Sequence, residues 1–549
     1  MELGQRVVAG RKLVIAFAVL VAAGVMSGWK AGKGPLEGHE CFVTVTAREM
    51  IAGGDWVVPH YNGEVRLEKT PLNYWMAGAV GMVRGRVDAI AGRLPSAVLA
   101  VVSAGAILYF ASGWFRFRVA MLGALVWCTS MCFIRYGRSA RPEMSLVCFV
   151  TIAMLSFYAG LVAKERRRQI AYMAVFWASF GAAMLAKGPA PLVLVWFPLA
   201  CYFAVFRKWK LVGKVLPIAG VAIFLLIVLP WPVAVLMKLW GSSGGEGGVV
   251  GFWQREFVGR FMGEHNAGGK AFYYYVPYVF WFLFPWSGFV VMILAAPFYK
   301  VWGKRAEAMW FLWFWLVGDV LIMSLSGGKR MHYILGGMPA GAILIGVVLD
   351  DMIYRRVAYS ERFARNMLLG HVGAMTAGVV VCLYLAVRYG GFYHKFAGLS
   401  IVVLGGMAVV VGLFARKKND TAIRVLFGGM CIAFMAGYGV VEGMPNYNRN
   451  AEVFAGKVAS VVGAKGKLVA YGDVSERFVH HYGRKVRVEV NARDIYTWYS
   501  EGVKVMASGR FMDELLADGR FRVLARWDEM EREGDGLVAG AVFGRETGQ

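Results

Sequence analysis

Glu68 and Lys69 sit side by side in "GEVRLEKTPLNYW" (63–75), and a proline and three large apolar side chains follow almost at once. A carboxylate can take a proton, and an ammonium can hold an anion. Either is costly at the edge of an apolar segment unless it is paired or used. The pair is not isolated. Lys69, Arg138, Arg141, Lys187, Arg260, Lys329 and Arg330 all fall in connections between apolar runs, accompanied by Glu37, Glu40, Asp55, Glu68, Glu143 and Glu256. Separated acids can serve as proton acceptors. Fixed cations can neutralise a developing negative charge, and Arg binds phosphate through two parallel hydrogen bonds. Two readings of this collection stay open: long side chains snorkelling to an interface, or one shared polar cavity.

The elements that must position these residues are membrane helices. The 549 residues are 58% hydrophobic and only 17% charged, with mean hydropathy +0.53, whereas soluble domains have roughly 45–50% apolar and about 25% charged residues. Apolar runs near 13–29, 94–113, 118–135, 143–162, 170–186, 189–206, 211–236, 275–298, 308–326, 332–349, 367–387, 397–415 and 421–441 give about 13 spans of transmembrane length. Alternate connections are short and basic, among them "KERRR" (164–168), "RKWK" (207–210) and "ARKK" (415–418). The positive-inside rule puts these and the N-terminus in the cytoplasm. The collected charges then lie on the opposite face, in the long first loop 30–93, the short turns at 136–143 and 186–191, the Gly-rich 241–274, and 326–333. The formal charge of +25 reads as topology and attraction to anionic lipid, not as a nucleic-acid surface. Seven cysteines, mostly inside apolar runs and without a CxxC pair, read as small core residues. The run 13–29 reads as an uncleaved first helix.

Residues 445–549 have a different composition from the membrane region 1–444. "KLVAYG" (467–472), "KVRVEV" (485–490), "FRVLARW" (521–527) and "LVAGAVFG" (537–544) read as strands. Stretches near 451–462, 474–482 and 510–518 read as helices. Strands alternating with helices predict a small α/β domain, extracytoplasmic if the span number is odd. It carries no phosphate-binding glycine loop, so no nucleotide cofactor is expected.

Several stretches, taken in order, resemble a known family. "EGHECFVTVTAREMIAGGDWVVPHYNGEVRLEKTPLNYW" (37–75), "RSARPEMSLVCF" (138–149), "LAKGP" (185–189), "EFVGRFMGEHN" (256–266) with "FYYYVP" (272–277), and "SGGKRMHYILGGMP" (326–339) are similar to segments of the bacterial polyprenyl-phosphate-sugar glycosyltransferases. These include the lipid A aminoarabinose transferases and the wider protein-mannosyltransferase-like group with the GT-C fold. The resemblance covers roughly residues 10–350. It departs at two positions: His39-Glu40 stands where the family has Asp-Glu, and Glu143 stands where it has Asp.

The resemblance implies an enzyme of the inner membrane. Such an enzyme takes a sugar from a polyprenyl phosphate, of the undecaprenyl type, and passes it to a lipid, glycan or protein acceptor outside the cytoplasm, inverting the anomeric carbon. That chemistry needs a base for the acceptor's proton and cations for the departing phosphate. Glu40 is the first candidate base, with capping of a helix starting near Thr44 as its structural alternative; Glu143 is the second, and His39 the third. Lys69 leads the phosphate contacts, with Glu68, Arg141, Lys187, Arg260, Lys329, Arg330 and Tyr333 as further substrate contacts. The resemblance also implies a divalent metal held by Glu68 and His265. Pro71 would turn the chain along the membrane surface, with Tyr74 and Trp75 at head-group depth. The rival reading is a polytopic transporter or flippase of an anionic lipid-linked substrate.

Overall fold

The computed structural model describes all residues except 1, 241–247, 260–269, 390–402, 404–405, 407–408, 415, 443–449, 528–539 and 545–549. The fold is mainly helical and divides into two compact units. The first comprises Met1–Ala31, Glu68–Asn73 and Arg93–Val441; the second comprises Gly32–Leu67, Tyr74–Gly92 and Glu442–Gln549.

Among the described residues, seven helices are long and apolar enough to cross a membrane, or up to nine if each of two bent pairs is one span. The run expected at 143–162 is the helix Glu143–Val162, and that expected at 170–186 is Arg166–Lys187. The runs at 118–135 and 275–298 are the bent pairs. Phe117–Cys128 and Met131–Gly137 meet at 58°, Phe272–Phe282 and Trp286–Phe298 at 120°. The run at 397–415 lies largely outside the described residues.

A break in an intramembrane helix frees backbone groups that lipid cannot satisfy. Here the two breaks satisfy one another. The Met131 amide donates to the Phe284 carbonyl at 2.8 Å, and the Trp286 indole donates to Thr129 Oγ1 at 2.9 Å. Ser130 caps the second half of the first pair by accepting from the Phe133 amide.

Where lipid replaces water, helix association depends on close packing and not on apolar burial, so small residues line the seams. Gly123 and Gly346 let the helices Phe117–Cys128 and Met338–Asp350 touch backbone to backbone. A Cβ at Gly346 would lie 2.8 Å from the Gly123 Cα. Gly318 abuts Pro198 in the same way, with a Cβ there 3.0 Å from the proline ring.

The second unit holds a helix, Gly38–Gly53, a two-stranded hairpin of β1 (His60–Tyr61) and β2 (Glu64–Val65), and a five-stranded sheet. Asn62 and Gly63 form the hairpin turn with φ of 55° and 80°, the positive values that favour Asn-Gly. The sheet comprises β3 (Leu468–Tyr471), β4 (Arg487–Glu489), β5 (Lys504–Ser508), β6 (Val523–Trp527) and β7 (Gly540–Phe543), in the order β4-β3-β5-β7-β6. β3 runs parallel to β4 and β5, and β7 runs antiparallel to β5 and β6. The sequence reading lacked β5, the central strand, and the helix Ala492–Ser500.

The helix Glu476–Tyr482 packs on Gly38–Gly53 within this unit. Arg48 Nη1 donates to the His480 carbonyl at 2.9 Å. Asn62 bonds the Val486 backbone twice, donating from Nδ2 at 2.6 Å and accepting at Oδ1 at 2.8 Å.

Candidate active site

The Glu68–Asn73 segment belongs to the first unit, where it is stitched to the ends of two helices. Asn73 Nδ2 donates to the Ala186 carbonyl at 2.8 Å, and Asn73 Oδ1 accepts from Ser145 Oγ at 2.7 Å. Thr70 Oγ1 accepts from the Gly188 amide at 3.2 Å. The last carbonyls of a helix have no intrahelical donors, and Asn73 supplies one for Arg166–Lys187. Gly188, at φ 68°, ends that helix as a non-glycine residue could only with strain.

These helix ends bring the charges together. Glu143 is the first residue of its helix and Lys187 the last of its own, each at the terminus that the helix dipole favours for its sign. Glu143 is only 3% exposed. Its Oε1 lies 3.3 Å from Lys187 Nζ and 3.6 Å from His332 Nε2, and its Oε2 lies 3.6 Å from Arg141 Nε. Arg330 is within electrostatic reach of Lys187. One carboxylate thus faces Lys187, Arg141 and Arg330 together with an imidazole, which leaves an excess of positive charge suited to an anion. Lys69, next to Thr70 in the stitched segment, pairs with the buried Glu256 at 3.8 Å.

Arg330 is exposed and Tyr333 half-buried. The Tyr333 ring meets His332 edge-on, with centroids 5.1 Å apart. Lys329 is 8% exposed, and its carbonyl accepts from Lys270 Nζ at 2.8 Å. The structure therefore gathers Glu143, Lys187 and Arg141, with Arg330 nearby, and ties Lys69 to the same helix ends. Arg260 and His265 lie outside the described residues.

His39 and Glu40 belong to the second unit. Their helix begins at Gly38, not near Thr44. Glu37 and Glu40 form a reciprocal capping box, in which Glu40 Oε2 accepts from the Glu37 amide at 2.9 Å. An acid at the third helical position bonding back to the cap residue is a helix-start signal, here with Glu in place of Ser or Thr at the cap. Glu40 is 2% exposed, whereas His39 is exposed. Asp55 Oδ1 accepts from the Val57 and Val58 amides at 2.9 and 3.1 Å and so orders its loop. Tyr74 is a core residue of this unit, packed with Val43, Ala47, Met50 and Ala77. Trp75 donates to the Trp56 carbonyl at 2.8 Å.

No group of three or more metal-ligating side chains occurs among the described residues. The implied ligand pair is represented there by the half-buried Glu68 alone. The second implied ligand, His265, lies outside the described residues.

Sequence reasoning missed three contributors: His332, Asn73 and Thr70. Asn73 and Thr70 stand inside the quoted "EKTPLNYW", where a buried polar residue between Pro71 and an aromatic pair is the signal. His332 had none, because its acidic neighbour is 189 positions away in the numbering of the chain.

Residues 68–233 match the family described as dolichyl-phosphate-mannose-protein mannosyltransferase. The chain is 26% identical over 400 residues to the undecaprenyl phosphate-alpha-4-amino-4-deoxy-L-arabinose arabinosyl transferase of Aeromonas salmonicida strain A449, covering 71% of this chain and 70% of that protein. Its identity to the protein of the same description from Pseudomonas aeruginosa strain LESB58 is 26% over 399 residues, covering 69% and 67%. The fold is similar to that of ArnT from Cupriavidus metallidurans bound to undecaprenyl phosphate, with TM-score 0.79, 20% identity and 97% of each chain covered. These three are transferases or carry a transferase's fold, and none supports the transporter reading.

Proposed function

We propose that this multi-pass membrane protein is a glycosyltransferase that moves a sugar from an undecaprenyl-phosphate-type donor to an acceptor on the extracytoplasmic face, inverting the anomeric carbon. The observation that carries the reading is Glu143 holding Lys187 and Arg141 where two helices end, with the Lys69-bearing segment stitched to the same ends. A departing polyprenyl phosphate gains negative charge as its bond to the sugar breaks. Cations fixed in advance stabilise that charge without reorganising, and removal of one such group typically costs about 10²–10³ in rate. Lys69, Arg141, Lys187 and Arg330 supply the charge. Glu143 holds two of them in place, and Lys329, Tyr333 and Glu68 are the further candidate substrate contacts. Arg260, outside the described residues, is kept as a candidate phosphate contact.

The topology proposed with this reading has thirteen spans, a cytoplasmic N-terminus in the inner membrane, and residues 445–549 outside the cytoplasm. In support, the basic connections alternate with those that carry Glu143, Lys187 and Arg330. The acceptor is a lipid, glycan or protein bearing a nucleophilic hydroxyl. The test is release of undecaprenyl phosphate by purified protein from undecaprenyl-phosphate-linked sugars. Turnover that is lost in Lys187→Met and Lys69→Ala supports the reading. Absence of turnover with aminoarabinose, mannose and glucose donors alike contradicts it.

A further inference from the structure

The transfer reaction needs a group to take the acceptor's proton, and in this chain the family's first carboxylate is replaced by the exposed His39. The first unit contains an imidazole in a better setting. His332 is 9% exposed and opens the short helical turn Met331–Gly337. Its Nε2 points at Glu143 Oε1, 3.6 Å away. The separation is just beyond hydrogen-bond length, and a carboxylate on that side favours the tautomer with the proton on the facing nitrogen and the lone pair on the other. The same division of labour, a buried acid orienting an imidazole that does the proton transfer, recurs on unrelated folds. Among the described residues, no hydrogen bond engages His332 Nδ1.

Resting on the function proposed above, we infer that His332, oriented by Glu143, accepts the proton of the acceptor hydroxyl during transfer. The acceptor O–H bond breaks, and its proton goes to Nδ1. The oxygen's electron pair forms the new bond to the anomeric carbon. The bond from that carbon to the lipid phosphate oxygen breaks, and its electron pair leaves with the phosphate. Glu143 thereby joins the two halves of the reaction, because a single oxygen faces both His332 and the phosphate-binding Lys187.

The groups around the imidazole are known on each side. Glu143 and Arg141 come from the start of Glu143–Val162, Lys187 from the end of Arg166–Lys187, and Arg330 from the preceding loop. Tyr333 meets the ring from its own turn. From the helix Ala306–Leu325, Asp319 faces Gly336 and Gly337, further along the same turn.

The experiment measures undecaprenyl phosphate release from undecaprenyl-phosphate-linked sugars, with lipid A or water as acceptor. Binding of undecaprenyl phosphate to each purified variant serves as the measure of folding. His332→Gln should bind undecaprenyl phosphate as before and lose about 10²–10⁴ in kcat. His332→Ala should regain part of its lost rate when free imidazole is added. A His332→Gln variant that binds undecaprenyl phosphate and keeps its rate overturns the inference. If that variant does not fold, His332→Ala decides: an unchanged rate, or a loss that imidazole does not relieve, overturns it. No turnover by the unaltered protein with any donor overturns the glycosyltransferase reading itself, and this inference with it.

Discussion

Lys187 and Glu143 stand 44 residues apart in the sequence and 3.3 Å apart in space, each nearly withdrawn from solvent at the end of its own helix. Breaking a buried ion pair by removing one partner leaves an uncompensated charge and costs about 3–5 kcal/mol, while replacing both partners costs much less. Lys187→Met and Glu143→Gln should each lower the thermal midpoint in detergent clearly. The double variant should recover much of the loss, giving a coupling energy of about 0.5–3 kcal/mol. Additive losses would mean that the pair does not hold the helix ends together.

Lys69 should behave in the opposite way. Its side chain is 37% exposed and its ammonium stands 3.8 Å from the buried Glu256, too far for a hydrogen bond. Glu256 has other interactions in the structure, so loss of Lys69 costs less stability than loss of Lys187. Lys69→Ala should leave the thermal midpoint nearly unchanged and lower turnover of an undecaprenyl-phosphate-linked sugar by about 10²-fold or more. Unchanged turnover would remove Lys69 from the phosphate contacts.

Glu40 can be resolved by two substitutions. Its carboxylate caps the helix Gly38–Gly53, and a glutamine oxygen can accept the same hydrogen bond from the Glu37 amide. Glu40→Gln should therefore keep both fold and rate, whereas Glu40→Ala should lose about 0.5–2 kcal/mol of cap energy. A Gln variant that folds normally but does not turn over would identify Glu40 as the base, against His332.

The second unit should weaken in acid. Burial holds the His481 imidazole below its ordinary value, an effect opposed in part by Glu452 and reinforced by Arg48 and Arg477. An unfolded histidine titrates near 6.5. Between that value and the lower folded one, the unfolded chain binds more protons, so stability is lost as pH falls below about 6.5. Amide protection in β3 and β5 of the full-length protein, taken relative to the intrinsic exchange rate at each pH, should fall between pH 7 and pH 5. His481→Gln should flatten this dependence. An unmodified slope in that variant would assign the effect elsewhere.

Much of this architecture could be read from local pattern, and what could not has physical causes. Glu143–Val162 was legible because an uninterrupted apolar run begins directly after Pro142. The 120° bend within 272–298 was not, since hydropathy is blind to a break whose polar groups are satisfied by another helix, as Phe284 and Met131 satisfy each other. The central strand β5 was missed because "KVMAS" is short and follows Gly502 in a region otherwise read as helix and loop. The candidate site was legible as a set of charges on one face. Which of them touch was not, because Glu143, Lys187 and His332 meet through tertiary packing of three separate elements. The helix start at Gly38 was readable in principle from Glu37 and Glu40, but a Glu cap is a weaker signal than Ser, Thr, Asp or Asn.

The most direct measurement is undecaprenyl phosphate release from an undecaprenyl-phosphate-linked sugar by purified protein in lipid nanodiscs, with Lys187→Met compared under the same conditions. The expected result is multiple turnover by the unaltered protein and a loss of about 10²–10³-fold in Lys187→Met. Equal rates for the two proteins would contradict the assignment of the Glu143–Lys187 cluster to the departing phosphate.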